Sequence, residues 1–225
     1  MKIANSKEQL LFDVDVGSPR ILVIENPVVF AEVIYDLNRQ CNGEEGNFVF
    51  SENNVSLVPS RTTMLITDYF TLDLNQKKIQ NFLYKKLANA GSELDHDKST
   101  FTSIGINLLD KVIDKSIFDH VIYDIEISWN TIFKCFNIRI EDEDISISEK
   151  IIDFIRICRE LLDIQLLITV NLKSYLSNTS LVEVYKMANY LGLKLLLLES
   201  HEGDTLPDER CTIIDKDMCV IIKDI

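Results

Sequence analysis

Short apolar runs near both ends of the chain have the pattern of buried strands. Residues 21–24 (ILVI), 165–171 (QLLITVN) and 193–200 (LKLLLLES) are apolar almost throughout. Such runs are typical of strands that are covered on both faces, as in a parallel sheet. Further short strands are predicted at 48–58, around a polar turn at Glu52–Asn54, and at 211–215 and 219–224.

Amphipathic helices accompany these strands. Residues 27–39 have apolar positions at helical spacing and begin with Pro27, which is tolerated at a helix start. Residues 176–192 have Ser177 or Asn178 available as an N-cap and end at Gly192. An order of strand, helix and strand with apolar strands predicts an α/β fold with a parallel sheet.

The pattern becomes helical in the middle of the chain, from about 75 to 139. Ile79, Leu83 and Leu87 recur at four-residue spacing and share one helix face. The stretch 92–100 (SELDHDKST) interrupts the pattern. Three later helices are predicted, at 102–115, 130–136 and 151–162. The sequence therefore predicts α/β ends with a helical insertion between them.

Charge changes this picture, because the chain of 225 residues carries a net charge of −13. An acidic balance argues against nucleic acid, whose phosphates need cations. The charge is uneven, however: residues 77–150 sum to −3, whereas residues 1–76 sum to −6. Residues 74–92 contain four lysines and no acid, which predicts a local basic surface on an acidic protein.

Several classes of protein are disfavoured by absent motifs. No apolar run reaches the eighteen residues of a membrane-spanning helix. The first residues lack the apolar stretch of a signal peptide, so we expect a cytoplasmic protein. The five cysteines include no C-x-x-C pair, which disfavours structural zinc and thiol redox chemistry.

Glu199 raises the possibility of nucleotide hydrolysis. It ends an apolar strand, the place where P-loop NTPases hold their magnesium-binding acid. The matching phosphate-binding motif G-x-x-x-x-G-K-[ST] is absent, since none of the seven glycines precedes a lysine. A buried strand with a polar end explains Glu199 more simply, and a divergent NTPase that uses Glu199 stays as an alternative hypothesis.

The order of these features resembles the ring-forming spacer-acquisition protein of type II-A CRISPR systems, the Csn-two family in its shorter form. The resemblance extends over nearly the whole chain and rests on several colinear partial matches. The similar stretches are 21–37 (ILVIENPVVFAEVIYDL), 62–79 (TTMLITDYFTLDLNQKKI), 132–141 (IFKCFNIRIE) with Glu149–Lys150, 166–184 (LLITVNLKSYLSNTSLVEV), 194–200 (KLLLLES) and 211–221 (CTIIDKDMCVI).

This resemblance implies a fold, an assembly and a role. It implies a degenerate P-loop-like α/β head with a largely parallel sheet, formed by 1–70 and 151–225, and an inserted α-helical leg at 71–150. Four subunits would form a homotetrameric ring that threads double-stranded DNA by its ends, supported by calcium. The expected partners are the CRISPR integrase subunits and the RNA-guided effector nuclease, and no enzymatic activity is expected.

Two groups of basic residues are candidates for DNA binding. The first is the cluster Lys77, Lys78, Lys85 and Lys86, which either contacts phosphates or forms a solvated helix face. The second comprises Lys134, Arg139 and Lys150, which match basic positions in the family. Surface ion pairs are the alternative for these, for example between Arg139 and the acids at 141–144.

The acids Asp119, Asp124 and Glu126 fall where the family has an acid-rich stretch, so the resemblance implies calcium there. Calcium takes six to eight oxygen ligands, and apolar residues interrupt this stretch. The denser run 141–144 (EDED) is a second source of carboxylates or a solvated acidic bend.

A third hypothesis for the whole chain is a protein-only adaptor that does not contact DNA.

Overall fold

The structure is a computed structural model that describes all residues except 9, 119, 143, 224 and 225. The protein consists of two compact units. One unit combines Met1–Leu74 with Asp142–Ile225, and the other is Asn75–Glu141. The sequence placed a helical insertion at 71–150. In the structure, residues 142–150 group with the first unit instead.

The first unit contains two sheets. Its strands, in chain order, are β1 (Lys2–Asn5), β2 (Leu10–Asp13), β3 (Arg20–Ile24), β4 (Phe48–Glu52), β5 (Val55–Leu57), β6 (Thr63–Ile66), β7 (Leu166–Val170), β8 (Lys194–Glu199), β9 (Arg210–Ile214) and β10 (Val220–Lys223). The larger sheet has the order β10-β9-β3-β8-β7-β6 and is parallel except for the β9–β10 pair. The smaller, antiparallel sheet has the order β2-β1-β4-β5.

Helices belong to both units. In chain order they are α1 (Pro27–Cys41), α2 (Pro59–Thr62), α3 (Lys77–Ala90), α4 (Asp95–Ile113), α5 (Trp129–Cys135), α6 (Ile147–Glu160) and α7 (Asn178–Tyr190). Helices α3, α4 and α5 lie in the second unit. No helix in the described ranges is both long and apolar enough to span a membrane.

The parallel sheet is the middle layer of the first unit. One of its faces packs on the small sheet and α1, through residues such as Leu22, Leu196 and Phe50. Alternate strand residues such as Leu197 point to the opposite face, where α7 contacts β8 and α6 packs on α7. All of β7 is buried, as is β8 after Lys194, which confirms the prediction of strands covered on both faces.

Four elements differ from the sequence prediction, namely β1, β2, α4 and α6. Strands β1 and β2 were not predicted, although Ile3 and Phe12 pair in register and face the core. Helix α6 starts four residues earlier than predicted, at Ile147, because Ser146 and Glu149 form a capping box.

The start of α4 was also wrong in the prediction, which began this helix at residue 102. The helix begins at Asp95, and Asp95 and Asp97 in its first turn interact favourably with the helix dipole. The hydroxyls of Thr100 and Thr102 donate to carbonyls four residues earlier. A stretch that looks like a polar break therefore continues as helix.

Candidate nucleic-acid interface and the edge of the parallel sheet

Helix α3 carries four exposed lysines, two of them opposite its buried side and two at the borders of that side. Ile79 and Tyr84 are buried, while Leu83 and Leu87 are partly buried, so the predicted apolar face is confirmed. The exposed lysines are Lys77, Lys78, Lys85 and Lys86. At ~1.5 Å per residue and ~3.6 residues per turn, Lys78 and Lys85 lie on one face, about 10 Å apart along the axis.

The position of Lys77 and Lys78 is not explained by helix stability. Both lie in the first turn of α3, which holds no acidic residue, and a cation there opposes the helix dipole at a cost of ~0.3–1 kcal/mol. Lys77, Lys78 and Lys85 make no ion pair with any residue that the structure describes. These three cations are available to an anionic ligand.

Two long-range contacts attach Arg139 to α3. The side chain of Asn75 makes a pair of hydrogen bonds with the backbone of Ile140, both 2.8 Å long. The Tyr84 hydroxyl donates to the Ile138 carbonyl at 3.1 Å. Because residues 138 and 140 are both fixed in this way, the exposed Arg139 between them lies beside α3.

Lys134 lies on a helix that packs against α3. It is exposed in the last turn of α5, where the helix dipole also favours a cation. The rings of Tyr84 and Phe133, 5.5 Å apart, join α3 to α5. Trp129 stacks on Phe133 and lies so close to Gly91 that a Cβ there would come within 2.8 Å of the indole.

Six of the seven predicted basic residues thus belong to the second unit, on or beside α3 and α5, and we call this set the basic face: Lys77, Lys78, Lys85, Lys86, Lys134 and Arg139. Lys150 is not part of this set, since it lies on α6 in the first unit. Asn75 and Tyr84 hold the segment of Arg139 beside α3. No local sequence pattern assigns that role to them, since their partners lie 65 and 54 residues away.

Net charge differs sharply between the two units. The unit 75–141 has nine Lys and Arg residues and nine Asp and Glu residues, so its net charge is zero. The other unit, with 14 basic and 27 acidic residues, carries the whole charge of −13. An anionic ligand therefore meets the least repulsion at the unit that holds the basic face.

The predicted calcium ligands do not form a site within the described residues. Asp124 and Glu126 are exposed in the irregular segment after α4, and Asp119 lies outside the described residues. No three His, Cys, Asp or Glu side chains converge in the described part of the chain. Two carboxylates fall short of the six to eight oxygens that calcium takes.

Glu199 is buried at the carboxyl edge of the parallel sheet. Its residue is 2% exposed, next to Val23 of β3 in the sheet register. Burial raises the pKa of Glu199 to about 7, although the backbone N–H groups of Lys173 and Leu172 donate to the carboxylate. The magnesium-binding acid of an NTPase must instead face the nucleotide.

The loop after β3 is closed to phosphate by its own side chain. In P-loop folds, free backbone N–H groups at this helix start cradle the nucleotide. Here Asn26 Oδ1 accepts the N–H groups of Val28 and Val29 at 3.1 and 3.4 Å, and Pro27 has no N–H to offer. The N–H donors nearest to this loop are already satisfied.

A largely buried ion pair lies at the same sheet edge, and no local sequence pattern predicts it. Lys173 Nζ and a carboxylate oxygen of Glu209 are 2.8 Å apart. Glu209 also accepts from the Tyr185 hydroxyl at 2.7 Å and from the Leu206 N–H at 2.9 Å. The local sequence DER (208–210) does not predict that Glu209 is buried, because its partners Lys173 and Tyr185 come from two distant segments.

An α/β unit built on a mostly parallel sheet, together with a helical unit that carries a basic face, defines a two-part α/β protein without the nucleotide-binding motif. The chain matches the protein family described as CRISPR-associated protein (Cas_Csn2) over residues 40–218. It is 25% identical to the CRISPR-associated protein Csn2 of Streptococcus agalactiae over 203 residues, which cover 89% of each chain.

The family match extends over most of the chain. This protein therefore belongs to the Csn2 family of CRISPR-associated proteins, as the sequence resemblance predicted.

Proposed function

We propose that this protein is a non-enzymatic ring that binds double-stranded DNA at its ends, without regard to sequence, during CRISPR spacer acquisition. Membership of the Csn2 family implies a role in CRISPR adaptation. The ring is a homotetramer that acts in the cytoplasm, with the CRISPR integrase subunits and the RNA-guided effector nuclease as partners.

The basic face is the observation that supports DNA binding most directly. Its cations belong to one compact unit, and three of them make no ion pair with a described residue. Contacts from such side chains to phosphates carry no sequence information, which fits a protein that must accept any spacer. Four copies in a ring would turn a modest cluster into a basic collar, while the acidic unit disfavours DNA elsewhere.

Exposed apolar residues on the second unit support subunit assembly. Helix α4 has 19 residues and none of them is buried. Phe101, Ile104, Leu108 and Val112 recur on it at helical spacing and are all exposed. A contiguous apolar stripe of this kind marks an interaction surface, and contact with another subunit would cover it.

Calcium would support subunit assembly. Asp124 and Glu126 supply two carboxylates, so an ion at this segment would need further ligands from another subunit or from residues such as Asp119. A bound cation there would offset repulsion between carboxylates. It would act on assembly, and we give it no part in contacting DNA.

Two other functions are less well supported. The buried Glu199 and the Asn26 cap disfavour an NTPase that uses Glu199 to hold magnesium. A protein-only adaptor accounts for the family match but leaves the uncompensated cations of α3 without a role. The DNA-binding proposal explains both.

Binding to linear duplex should depend steeply on salt and little on sequence. Each neutralised phosphate changes log K by about −0.9 per unit of log salt, so a collar with 6–10 contacts loses ~10³–10⁵ in affinity between about 50 and 200 mM salt. Fluorescence anisotropy on two linear duplexes of unrelated sequence measures this slope.

The two duplexes should give equal slopes and affinities within about threefold. Affinity that is flat with salt, or absent at about 50 mM salt, would leave the adaptor as the better account. Turnover of ATP that Glu199→Gln abolishes would instead favour the NTPase.

A further inference from the structure

An exposed aromatic pair, Phe70 and Tyr175, lies on the first unit, and neither residue belongs to the basic face. Phe70 is 67% exposed and Tyr175 is 47% exposed. Their ring centroids are 5.6 Å apart in an edge-to-face arrangement. Tyr175 also contacts Tyr69, with 5.4 Å between ring centroids. Because Tyr69 is buried, the exposed pair Phe70 and Tyr175 packs on the core of the unit.

Hydrogen bonds hold the pair in place from two distant segments. The Tyr69 hydroxyl donates to the Val170 carbonyl at 2.8 Å, across a sequence separation of 101 residues. The Asp68 carboxylate accepts the N–H of Phe70 at 2.9 Å and the hydroxyl of Thr71 at 2.7 Å. These hydrogen bonds fix the backbone beside both rings. The two exposed rings would therefore lose little conformational entropy when a ligand binds.

The charge around the rings is negative. The Thr71 hydroxyl and the Phe70 N–H lower the pKa of the exposed Asp68 below its ordinary value, so this carboxylate is ionised at neutral pH. Beneath the rings, burial and the nearby Glu199 raise the pKa of Tyr69.

The two segments that form the surface, 67–74 and 171–177, contain one basic residue, Lys173. Its ammonium is held by Glu209 and by the Asp204 carbonyl at 2.7 Å. No cation of these segments is therefore free to cover the rings or to neutralise Asp68.

We propose that the surface formed by Asp68, Phe70 and Tyr175 binds an arginine-bearing segment of a partner protein. A guanidinium stacks on an aromatic face and pairs with a carboxylate at the same time, which an ammonium does less well. The Asp68 carboxylate disfavours phosphate at this surface. The partner it fits is a protein with exposed arginines, and binding here does not require that DNA be bound.

The test is an NMR titration of the full chain with a blocked pentapeptide, acetyl-Gly-Arg-Gly-Arg-Gly-amide. We expect ring resonances of Phe70 and Tyr175 to shift on addition of the peptide. The same peptide with lysine should bind several-fold more weakly, and the one with glutamate should give no shift. A single-stranded thymidine oligonucleotide tests the competing possibility of base stacking and should also give no shift.

Three variants make the assignment specific. Phe70→Ser with Tyr175→Ser should weaken peptide binding by about tenfold. Asp68→Asn keeps the hydrogen-bonded turn and should weaken binding several-fold at low salt. Tyr190→Ser is the matched control, since Tyr190 is 84% exposed and lies on α7 outside this surface, and it should change nothing.

Asp68→Asn also separates lost binding from lost folding, because it leaves both rings in place. The proposal would be overturned by equal peptide binding in the wild type, the double variant and Asp68→Asn. It would equally be overturned if the arginine peptide shifted no ring resonance of Phe70 or Tyr175. Shifts of these resonances with the oligonucleotide, and not with the peptide, would also overturn it.

Discussion

Glu209→Ala should lower the free energy of unfolding by about 3–5 kcal/mol, because it leaves the largely buried Lys173 ammonium without its counter-ion. The Lys173–Glu209 pair is shielded from solvent. The substitution also removes the acceptor for the Tyr185 hydroxyl and the Leu206 N–H. Urea denaturation followed by circular dichroism measures the loss.

The matched control is Glu202→Ala. Glu202 also pairs with a lysine, Lys223, but both side chains are exposed. Exposed pairs contribute ~0–1 kcal/mol, so this variant should stay within about 1 kcal/mol of the wild type. A loss for Glu209→Ala no greater than that of the control would mean that the pair is solvated and that the sheet edge is more open than described.

Reversing Lys78 and Lys85 together to glutamate should weaken binding to linear duplex by at least about a hundredfold at ~0.1 M salt. In a ring of four, this variant replaces eight cations by eight anions around the DNA. The slope of log K against log salt should become shallower by about 0.9 for each phosphate contact that is lost. Anisotropy titrations at several salt concentrations give both quantities.

Lys111→Glu with Lys115→Glu is the control for this variant. It makes the same charge change within the same unit, with Lys111 on α4 and Lys115 just after it, outside the basic face. Its effect should be limited to a few-fold, through the overall change in net charge. Equal losses in both variants would mean that total charge, and not the basic face, governs binding.

The sequence was most informative where a segment's own residues determine its structure. The runs that became β3, β7 and β8 are apolar at successive positions, so their burial on both faces could be predicted without knowing their neighbours. The lysines of α3 were likewise visible as a local run without acids.

Features that depend on distant partners could not be predicted in this way. Glu209 sits in a charged tripeptide and is buried because Lys173 and Tyr185 reach it from other elements. The segment of Arg139 is held beside α3 by hydrogen bonds of Asn75 and Tyr84 that cross more than fifty residues. Lys150 has the same charge as those lysines, but a capping box starts its helix early and the helix packs in the other unit.

Local signals were also missed. The alternation in β1 places Ile3 and Asn5 inward and Lys2 outward, a period-two pattern that predicts a strand. Asp95 and Asp97 at the start of α4 look like a break, yet acids are favoured in the first turn of a helix. Both errors came from giving polar residues more weight than their positions warrant.

The most direct test of the proposed function compares one plasmid in two forms. The protein is mixed with the closed circle and with the same plasmid after linearisation, in calcium or in chelator, and the mixtures are separated on a native gel. An end-loading ring should bind the linear form alone, and chelator should weaken that binding if calcium supports the ring. Equal binding to the closed circle would contradict threading, and binding to neither form would contradict the DNA clamp as a whole.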